Sequence, residues 1–175
     1  MKTKRQLTIK KAGAEMKLVI KEKHFSLRDT LTVQDEKGKT VYEIKSKLVS
    51  LGNKVLIYDK EQQEAASIEE NKIGSAPKYT IYQQGEKIAV IKKGKNLIGS
   101  DYTIDKLDWK ITGNVEKEDF HIKKGLSTIA SFKKKLISMG DAFVLDVDQE
   151  KDALTALAIV TAIKSIEENA EENKQ

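Results

Sequence analysis

The sequence of 175 residues contains no cysteine, which excludes a disulfide framework, a thiol nucleophile and every metal site built on cysteine ligands. It also lacks a long apolar run, because the longest, Ala153–Ile163, is shorter than the ~18–20 residues that cross a bilayer. The basic N-terminus, Met1–Arg5, is not followed by the apolar stretch of a signal peptide. We therefore expect no transmembrane segment and a cytoplasmic protein, either free or attached peripherally to a membrane.

The net charge is positive and is carried almost wholly by lysine. The chain has 32 basic and 27 acidic residues, a balance of +5. A basic surface favours anionic partners such as lipid headgroups, nucleic acid or acidic proteins. Only Arg5 and Arg28 are arginines, whereas bidentate recognition of phosphate or guanine prefers the arginine fork. We therefore interpret most of the basicity as solvated surface and do not expect nucleic acid as a partner.

Alternating apolar and polar residues over the first 150 positions predict β-strands. The strands flank polar turns such as Asp35–Gly38, Asp59–Gln62 and Gln83–Glu86. This unit recurs about every 24 residues, and residues 120–132 repeat it once more. Its recurring apolar positions are Val33, Ile57 and Ile81 on the first strand and Ile44, Ile68 and Ile91 on the second. A hairpin cannot bury its apolar face alone, so we expect successive hairpins to join one sheet.

Residues 153–166 break this period, because they are rich in alanine and leucine and contain neither glycine nor proline. We predict a helix here, with Asp148 as its N-cap. Apolar residues and threonine occupy every face and Lys164 is the only charge, so this helix must be enclosed on all sides. A sheet curled around it would bury the helix and remove most of the sheet edges. The sequence thus predicts a mainly β fold, a closed antiparallel β-barrel around a central, hydrophobic C-terminal α-helix.

One alternative architecture stays open, in which the helix packs between a sheet and a dimer partner. We expect residues 1–166 to form a single domain. Residues 167–175 contain four glutamates and one lysine, and we expect them to be an acidic, disordered tail. The oligomeric state does not follow from the sequence.

Several short motifs stand in a recognisable order along the chain. They are Phe25-Ser-Leu-Arg-Asp29, Ser50-Leu-Gly52, Ile57-Tyr-Asp59, Pro77-Lys-Tyr79, Leu107-Asp-Trp109 with Gly113, Gly140-Asp141, and Ala156-Leu-Ala-Ile-Val-Thr-Ala-Ile163. With these motifs the chain resembles the LURP-one-related family over about Met16 to Ile166. The resemblance implies a Tubby C-terminal-like barrel of twelve strands around a hydrophobic helix. Lys164 departs from the family pattern, because relatives often carry an acidic residue there.

The resemblance implies less about function than about fold. The family is grouped with the Tubby C-terminal domain and the phospholipid scramblases, and Tubby domains bind phosphoinositides through basic residues. No motif of this chain matches the Tubby lipid site residue by residue, so the resemblance assigns no binding residues. The inference from fold to lipid binding is an analogy.

Two short motifs resemble ligand-binding loops but lack residues that such loops require. The run Asp146–Asp152 begins like a calcium loop, but Lys151 and Leu157 replace the glycine and glutamate that the loop requires. Gly94–Gly99 has the glycine spacing of a phosphate-binding loop, yet Ser100-Asp101 follows in place of lysine and a hydroxyl residue. We therefore assign no catalytic, metal-binding or cofactor-binding residue, expect no cofactor, and expect no enzymatic activity.

The two histidines and the single tryptophan have ordinary structural interpretations. A metal site at His24 and His121 would need carboxylates whose placement the sequence does not reveal. We interpret both as surface or strand residues. Trp109 is interpreted as an anchor in the core or at the mouth of the barrel.

Lysines spaced two apart share one face of a strand and are the candidates for an anionic-lipid or phosphate patch. They are Lys21 and Lys23, Lys45 and Lys47, and Lys133 and Lys135, together with Lys92, Lys93, Lys123 and Lys124. The alternative is that outward lysines keep the protein soluble and discourage edge pairing. The spacing specifies no ligand, so the anion- or lipid-binding residues stay unassigned.

Two functional hypotheses follow from these observations. The first is a non-enzymatic binding module that contacts anionic phospholipid, of the phosphoinositide type, through a lysine-rich face. The alternative is a structural or regulatory domain that binds protein partners, including a second copy of itself, without a lipid ligand.

Overall fold

A computed structural model of the protein describes residues 13–22, 24–49, 52–71, 77–94, 102–137 and 140–172. This part of the chain contains twelve β-strands, one 3₁₀ turn (Glu150–Asp152) and one α-helix, α1 (Ala153–Glu172). The strands are β1 (Met16–Ile20), β2 (Leu31–Gln34), β3 (Thr40–Val49), β4 (Gly52–Asp59), β5 (Glu64–Asn71), β6 (Lys78–Gln83), β7 (Glu86–Lys93), β8 (Tyr102–Asp105), β9 (Trp109–Asn114), β10 (Asp119–Lys124), β11 (Ser127–Ile137) and β12 (Gly140–Val147).

All twelve strands join one antiparallel sheet, in the spatial order β8-β7-β6-β5-β4-β3-β2-β1-β12-β11-β10-β9. Strands that follow each other along the chain are neighbours in the sheet, except β8 and β9. The pairing of β1 with β12 joins the first strand to the last. Because β8 and β9 end the order on either side, the sheet is a nearly closed barrel with a seam between these two strands. The predicted fold class is confirmed.

The helix α1 occupies the interior of this barrel. Every residue from Ala156 to Ile163 has an exposed fraction of 0–1%. The sheet supplies apolar contacts on all faces of the helix, which explains why the helix carries no polar stripe. No dimer partner is required to cover it. Among the described residues, no helix is both long and apolar enough to cross a membrane.

The apolar positions that repeat along the sequence all point into the barrel. Ile44 lies opposite Ile57 across β3 and β4, and Ile68 lies opposite Ile81 across β5 and β6. These four residues, with Val33 and Ile91, have exposed fractions of 0%. The repeat therefore places equivalent side chains of successive hairpins around the helix, as the sequence predicts.

The repeat extends to the hydrogen bonds of the turns. The Asp35 carboxylate accepts the backbone N–H groups of Lys37 and Lys39, both at 2.9 Å. The Asp59 carboxylate accepts those of Glu61 and Gln63, again at 2.9 Å. An aspartate that bonds backbone amides two and four residues ahead holds a tight turn without help from the core. The β2–β3 and β4–β5 turns are thus two copies of one local structure.

The barrel has two ends that differ in their contents. At one end, which we call the helix-exit end, the last turns of α1 emerge, and Asn169 donates a hydrogen bond to the Tyr79 hydroxyl near the start of β6. At the opposite end, Gln83 near the turn after β6 donates to Thr155 in the first turn of α1 (2.9 Å). Because strands alternate in direction, the turns after β2, β4, β6 and β10 all lie at this opposite end.

The C-terminal end of the helix differs from the prediction. The helix was predicted to end at Ile166, but it continues to Glu172, so residues 167–172 are helical and the prediction of disorder is wrong for them. Residues 173–175 lie outside the described residues. The extra turns are held by side chains of the barrel rim, which a pattern of local residues does not reveal.

The N-terminal end of the helix also differs. The backbone N–H of Asp148 donates to the carbonyl of Ile129 (2.9 Å), so Asp148 still belongs to the end of the sheet. Gln149, with φ −134° and ψ 128°, precedes the 3₁₀ turn and makes no side-chain capping bond. The predicted N-cap at Asp148 is therefore wrong: sheet bonding extends past the predicted boundary, Gln149 is the N-cap position of the 3₁₀ turn, and α1 begins only at Ala153.

Candidate functional site

The helix-exit end contains the one charge of the predicted helix segment. Lys164 is 9% exposed, and its Nζ lies 2.6 Å from Glu118 Oε1 in the β9–β10 turn. The same ammonium lies 5.6 Å from the centre of the Phe25 ring and 5.8 Å from that of Phe143. A buried cation needs this combination of a carboxylate and aromatic faces. Lys164 is thus a paired structural charge, and its departure from the family pattern does not end the helix.

The carboxylates that follow on α1 are also engaged. Glu167 accepts hydrogen bonds from the Tyr102 hydroxyl and from Lys93 Nζ (3.1 Å). Burial and the neighbouring Glu167 carboxylate raise the pKa of the Tyr102 hydroxyl above its ordinary value. Glu168 accepts the backbone N–H of Leu27 (2.9 Å), and burial raises the pKa of this carboxyl above its ordinary value. These contacts dock the last turns of α1 against the rim.

Two clefts, of about 510 and 540 Å³, open at the helix-exit end. The salt bridge between Arg28 and Glu172 contributes to the walls of both. The 510 Å³ cleft is lined by five glutamates against three Lys and Arg side chains. Its acidic residues are Glu118, Glu167, Glu168, Glu171 and Glu172. An excess of carboxylates does not suit an anionic headgroup, so this cleft is a poor candidate for the predicted lipid site.

The two histidines are not brought together at a shared motif. His24 lines the 510 Å³ cleft in the segment between β1 and β2. His121 lies on β10, with its Nδ1 at 2.8 Å from Ser131 Oγ on β11. No group of three or more His, Asp or Glu side chains has the arrangement of a metal site within the part of the chain that the structure describes. Trp109 belongs to the core at the start of β9, as predicted.

Of the two rejected motifs, the calcium-loop-like run lies within the described residues and the phosphate-loop-like run lies mostly outside them. Asp146–Asp152 forms the end of β12 and the 3₁₀ turn before α1. Of Gly94–Gly99, only Gly94 lies within the described residues.

Most of the predicted lysines have acidic neighbours in the structure. Six of those in the described residues have a carboxylate oxygen within 3.9 Å: Lys45 with Glu43, Lys92 with Asp105, Lys93 with Glu167, Lys124 with Asp108, Lys133 with Asp119 and Lys135 with Asp146. They are spread over β3, β7, β10 and β11 and form no single patch. Lys23 lies outside the described residues. Exposed pairs of this kind contribute little stability but neutralise the surface locally.

Within the described strands, cross-strand register places lysines directly opposite each other at three points. These points are Lys47 and Lys54, Lys78 and Lys92, and Lys110 and Lys123. In the first two, one member has a nearby carboxylate: Lys54 lies 3.0 Å from Glu69, and Lys92 lies 2.5 Å from Asp105. In the third, no carboxylate of the described residues lies within 4.0 Å of either ammonium. Of the three cross-strand lysine pairs in the described residues, this one therefore has no carboxylate close enough to neutralise either member.

Lys124, the last residue of β10, follows Lys123 on the opposite face of the strand, and we call the three lysines at this end of the β9–β10 pair, Lys110, Lys123 and Lys124, the basic corner. The Lys124 side chain is 57% exposed and lies 3.7 Å from Asp108, its one close carboxylate among the described residues. Trp109, opposite Lys124 in register and 9% exposed, anchors the corner to the core. The corner lies at the β9–β10 edge of the sheet, at the end opposite the helix exit.

Sequence reasoning identified Lys123 and Lys124 but missed Lys110. The sequence does indicate an outward-facing Lys110, because it stands between the apolar Trp109 and Ile111 on the strand that precedes β10. The partner of Lys110 depends on the exact length of the β9–β10 turn, which the repeat does not fix.

Comparisons with known proteins agree with the fold. A family model described as LURP-one-related matches residues 16–164. The uncharacterized protein YxjI of Bacillus subtilis (strain 168) is 26% identical over 147 residues, which cover 83% of this chain and 91% of that protein. The X-ray structure of a protein from Arabidopsis thaliana superposes with a TM-score of 0.58 at 11% identity, covering 86% of this chain and 91% of that one. At this identity the structural likeness concerns the fold alone.

Proposed function

Because the chain belongs to the LURP-one-related family, we propose that it is a non-enzymatic binding module whose basic corner contacts the headgroups of anionic phospholipids. The observation that carries this proposal is the position of Lys110 directly opposite Lys123, without a carboxylate of the described residues to neutralise either. The module works at the cytoplasmic surface of a membrane, to which it binds peripherally.

Repulsion between the two opposed lysines lowers the stability of the fold, and a bound anion removes this repulsion. Directly opposite side chains in an antiparallel sheet have Cβ atoms about 4.5–5.5 Å apart, and like charges there destabilise the pair. A phosphate oxygen between the two ammonium groups accepts hydrogen bonds from both and replaces repulsion by attraction. Lysine also contributes here by charge alone, because each Lys or Arg near an anionic lipid surface adds about 1 kcal/mol without bidentate geometry.

Other sites on the barrel support the same ligand less well. The 510 Å³ cleft at the helix-exit end has an excess of carboxylates, and Lys45, Lys92 and Lys133 each have an acidic neighbour. Tubby domains, which the fold resembles, bind phosphoinositides through basic residues, and this analogy favours lipid over nucleic acid as the source of phosphate.

Vesicle flotation tests the proposed ligand class. The full chain is mixed with vesicles of phosphatidylcholine alone or with roughly one third phosphatidylglycerol, at ~50 mM and at ~500 mM salt. We expect retention on the anionic vesicles at low salt and release at high salt, since about 1 kcal/mol per lysine is available near such a surface. Equal retention on both vesicle types at low salt would refute the proposal.

A second function, binding of protein partners without a lipid, is favoured by the seam of the barrel. The strands β8 and β9 end the sheet order, and an unpaired strand edge accepts an extended peptide by backbone hydrogen bonding. Native mass spectrometry and pull-downs with the intact chain test this candidate. An unaccompanied monomer in both would count against it.

A further inference from the structure

Leu126 lies at the tip of the β10–β11 hairpin and is fully exposed, with a relative exposure of 101%. Lys124 and Ser127 are the last paired residues of the hairpin, so Gly125 and Leu126 alone form the loop. Gly125 has φ +58°, the left-handed conformation that a two-residue type II′ turn requires at its first position. The hairpin therefore holds a large apolar side chain beyond the end of the sheet.

Transfer of a fully exposed leucine side chain from water into an apolar environment is favourable in free energy. Among the described residues, the one other large apolar side chain that is exposed to this degree is Leu136, at 83%. It lies at the far end of β11, at the helix-exit end of the barrel. The two leucines therefore mark opposite ends of one strand and allow a direct comparison.

The surroundings of the two leucines differ in charge. Leu126 follows Lys123 and Lys124, two of the three cations of the basic corner. Leu136 also follows lysines, namely Lys133, Lys134 and Lys135, but each of them has a carboxylate oxygen within 3.9 Å. The positive charge beside Leu136 is therefore neutralised locally, whereas Lys123 has no such partner among the described residues, so an anionic surface attracts the site of Leu126 more strongly.

We propose that Leu126 inserts into the interfacial region of an anionic bilayer while the basic corner contacts the headgroups. This inference rests on the proposed function and adds the hydrophobic anchor and the part of the barrel that meets the lipid. An apolar side chain beside several lysines is the combination by which peripheral proteins attach, because apolar burial and electrostatic attraction add. Leu136 stays in water when the protein is bound.

The absence of cysteine in the chain allows a site-specific test. Leu126→Cys and, as the matched control, Leu136→Cys are each labelled with an environment-sensitive fluorophore. The labelled proteins are mixed with phosphatidylglycerol-containing vesicles, and emission is recorded in samples whose bound fraction is measured by flotation. We expect a blue-shifted, stronger emission on binding for the label at 126 and an unchanged emission for the label at 136.

A second pair of variants measures the contribution to affinity. Leu126→Ser is expected to weaken the partition onto anionic vesicles about tenfold, and Leu136→Ser to leave it unchanged. Vesicle binding with no change at the label on 126, or an equal loss of affinity in both serine variants, overturns the insertion of Leu126 while the proposed function stands. Failure of the unsubstituted protein to bind anionic vesicles overturns both.

Discussion

Lys164 and Glu118 form an ion pair between the helix and the β9–β10 turn, with 2.6 Å between Nζ and Oε1. The Lys164 side chain is 11% exposed and that of Glu118 is 24% exposed, so the carboxylate retains more access to water than the ammonium. Because of this asymmetry, removing Glu118 and removing Lys164 are expected to have different effects on the free energy of unfolding.

The first prediction concerns this asymmetry. Glu118→Gln removes the carboxylate that is hydrogen-bonded to the buried Lys164 ammonium, while Glu168 remains as a charge near it, and is expected to lower the free energy of unfolding by about 2–3 kcal/mol. Lys164→Met fills the same space with an apolar chain and leaves Glu118 free to turn to water, so its effect stays within about 1 kcal/mol. Urea unfolding followed by circular dichroism measures both values.

The double variant Lys164→Met with Glu118→Gln serves as the control. It is expected to unfold close to Lys164→Met alone, because no buried charge is left unpaired. Equal losses in the two single variants would contradict a role of Glu118 as the counter-ion.

The second prediction concerns the two copies of one turn. Gly38 has φ +78° and Gln62, at the equivalent place 24 residues later, has φ +61°. Left-handed backbone costs a non-glycine residue roughly 1–2 kcal/mol, while glycine loses more backbone entropy on folding. We expect Gln62→Gly to raise the free energy of unfolding by about 0.5 kcal/mol. Gly38→Ala is expected to lower the free energy of unfolding by about 1 kcal/mol, because alanine is disfavoured at this φ. No atom lies within 4 Å of the added Cβ, so a steric clash does not add to this loss.

The denaturation midpoints of these two variants give the test. The midpoint is expected to rise for Gln62→Gly and to fall for Gly38→Ala, while the slope of the unfolding free energy against urea concentration stays the same. A destabilising effect of Gln62→Gly would contradict the equivalence of the turns.

The third prediction concerns pH. Burial raises the pKa of Glu168 above its ordinary value of 4.5, so the folded protein holds this proton more tightly than the unfolded chain does. The contribution of Glu168 to stability is therefore largest below pH 4.5 and is lost as the pH rises through the raised pKa. Glu168→Gln, whose amide oxygen still accepts the Leu27 N–H, removes this loss.

The measurement is the free energy of unfolding of both proteins at a series of pH values from 4 upward. The difference, variant minus unsubstituted protein, is expected to increase with pH from about pH 4.5 upward. Glu171→Gln, on the exposed side of the helix, is the matched control. A difference that stays constant with pH, or that falls, would contradict the account of Glu168.

The architecture could be predicted from the sequence because its signals are local. Alternation assigns the strands, and the spacing of Ile44, Ile57, Ile68 and Ile81 assigns the inward face. A helix that is apolar on every side has few solutions other than enclosure. None of these inferences requires knowledge of which strands meet.

The errors all depend on contacts between distant segments. The helix extends to Glu172 because Tyr102, Leu27 and Arg28 bind its glutamates. From the sequence alone these partners are not visible, and a glutamate-rich segment is then predicted to be a disordered tail. In the same way, Lys110 meets Lys123 only through the register of β9 and β10. Sequence spacing indicates which lysines share a strand face but not which carboxylates neutralise them.

Charge removal at the basic corner tests the central claim most directly. Lys110→Gln with Lys123→Gln is compared with Lys47→Gln with Lys78→Gln, which removes the same charge from other cross-strand lysine pairs. We predict that the first variant loses about tenfold or more in partition onto phosphatidylglycerol vesicles, and that the second loses about twofold through net charge alone. Equal losses in the two variants, or none in the first, would contradict the assignment of the basic corner as the lipid-binding site.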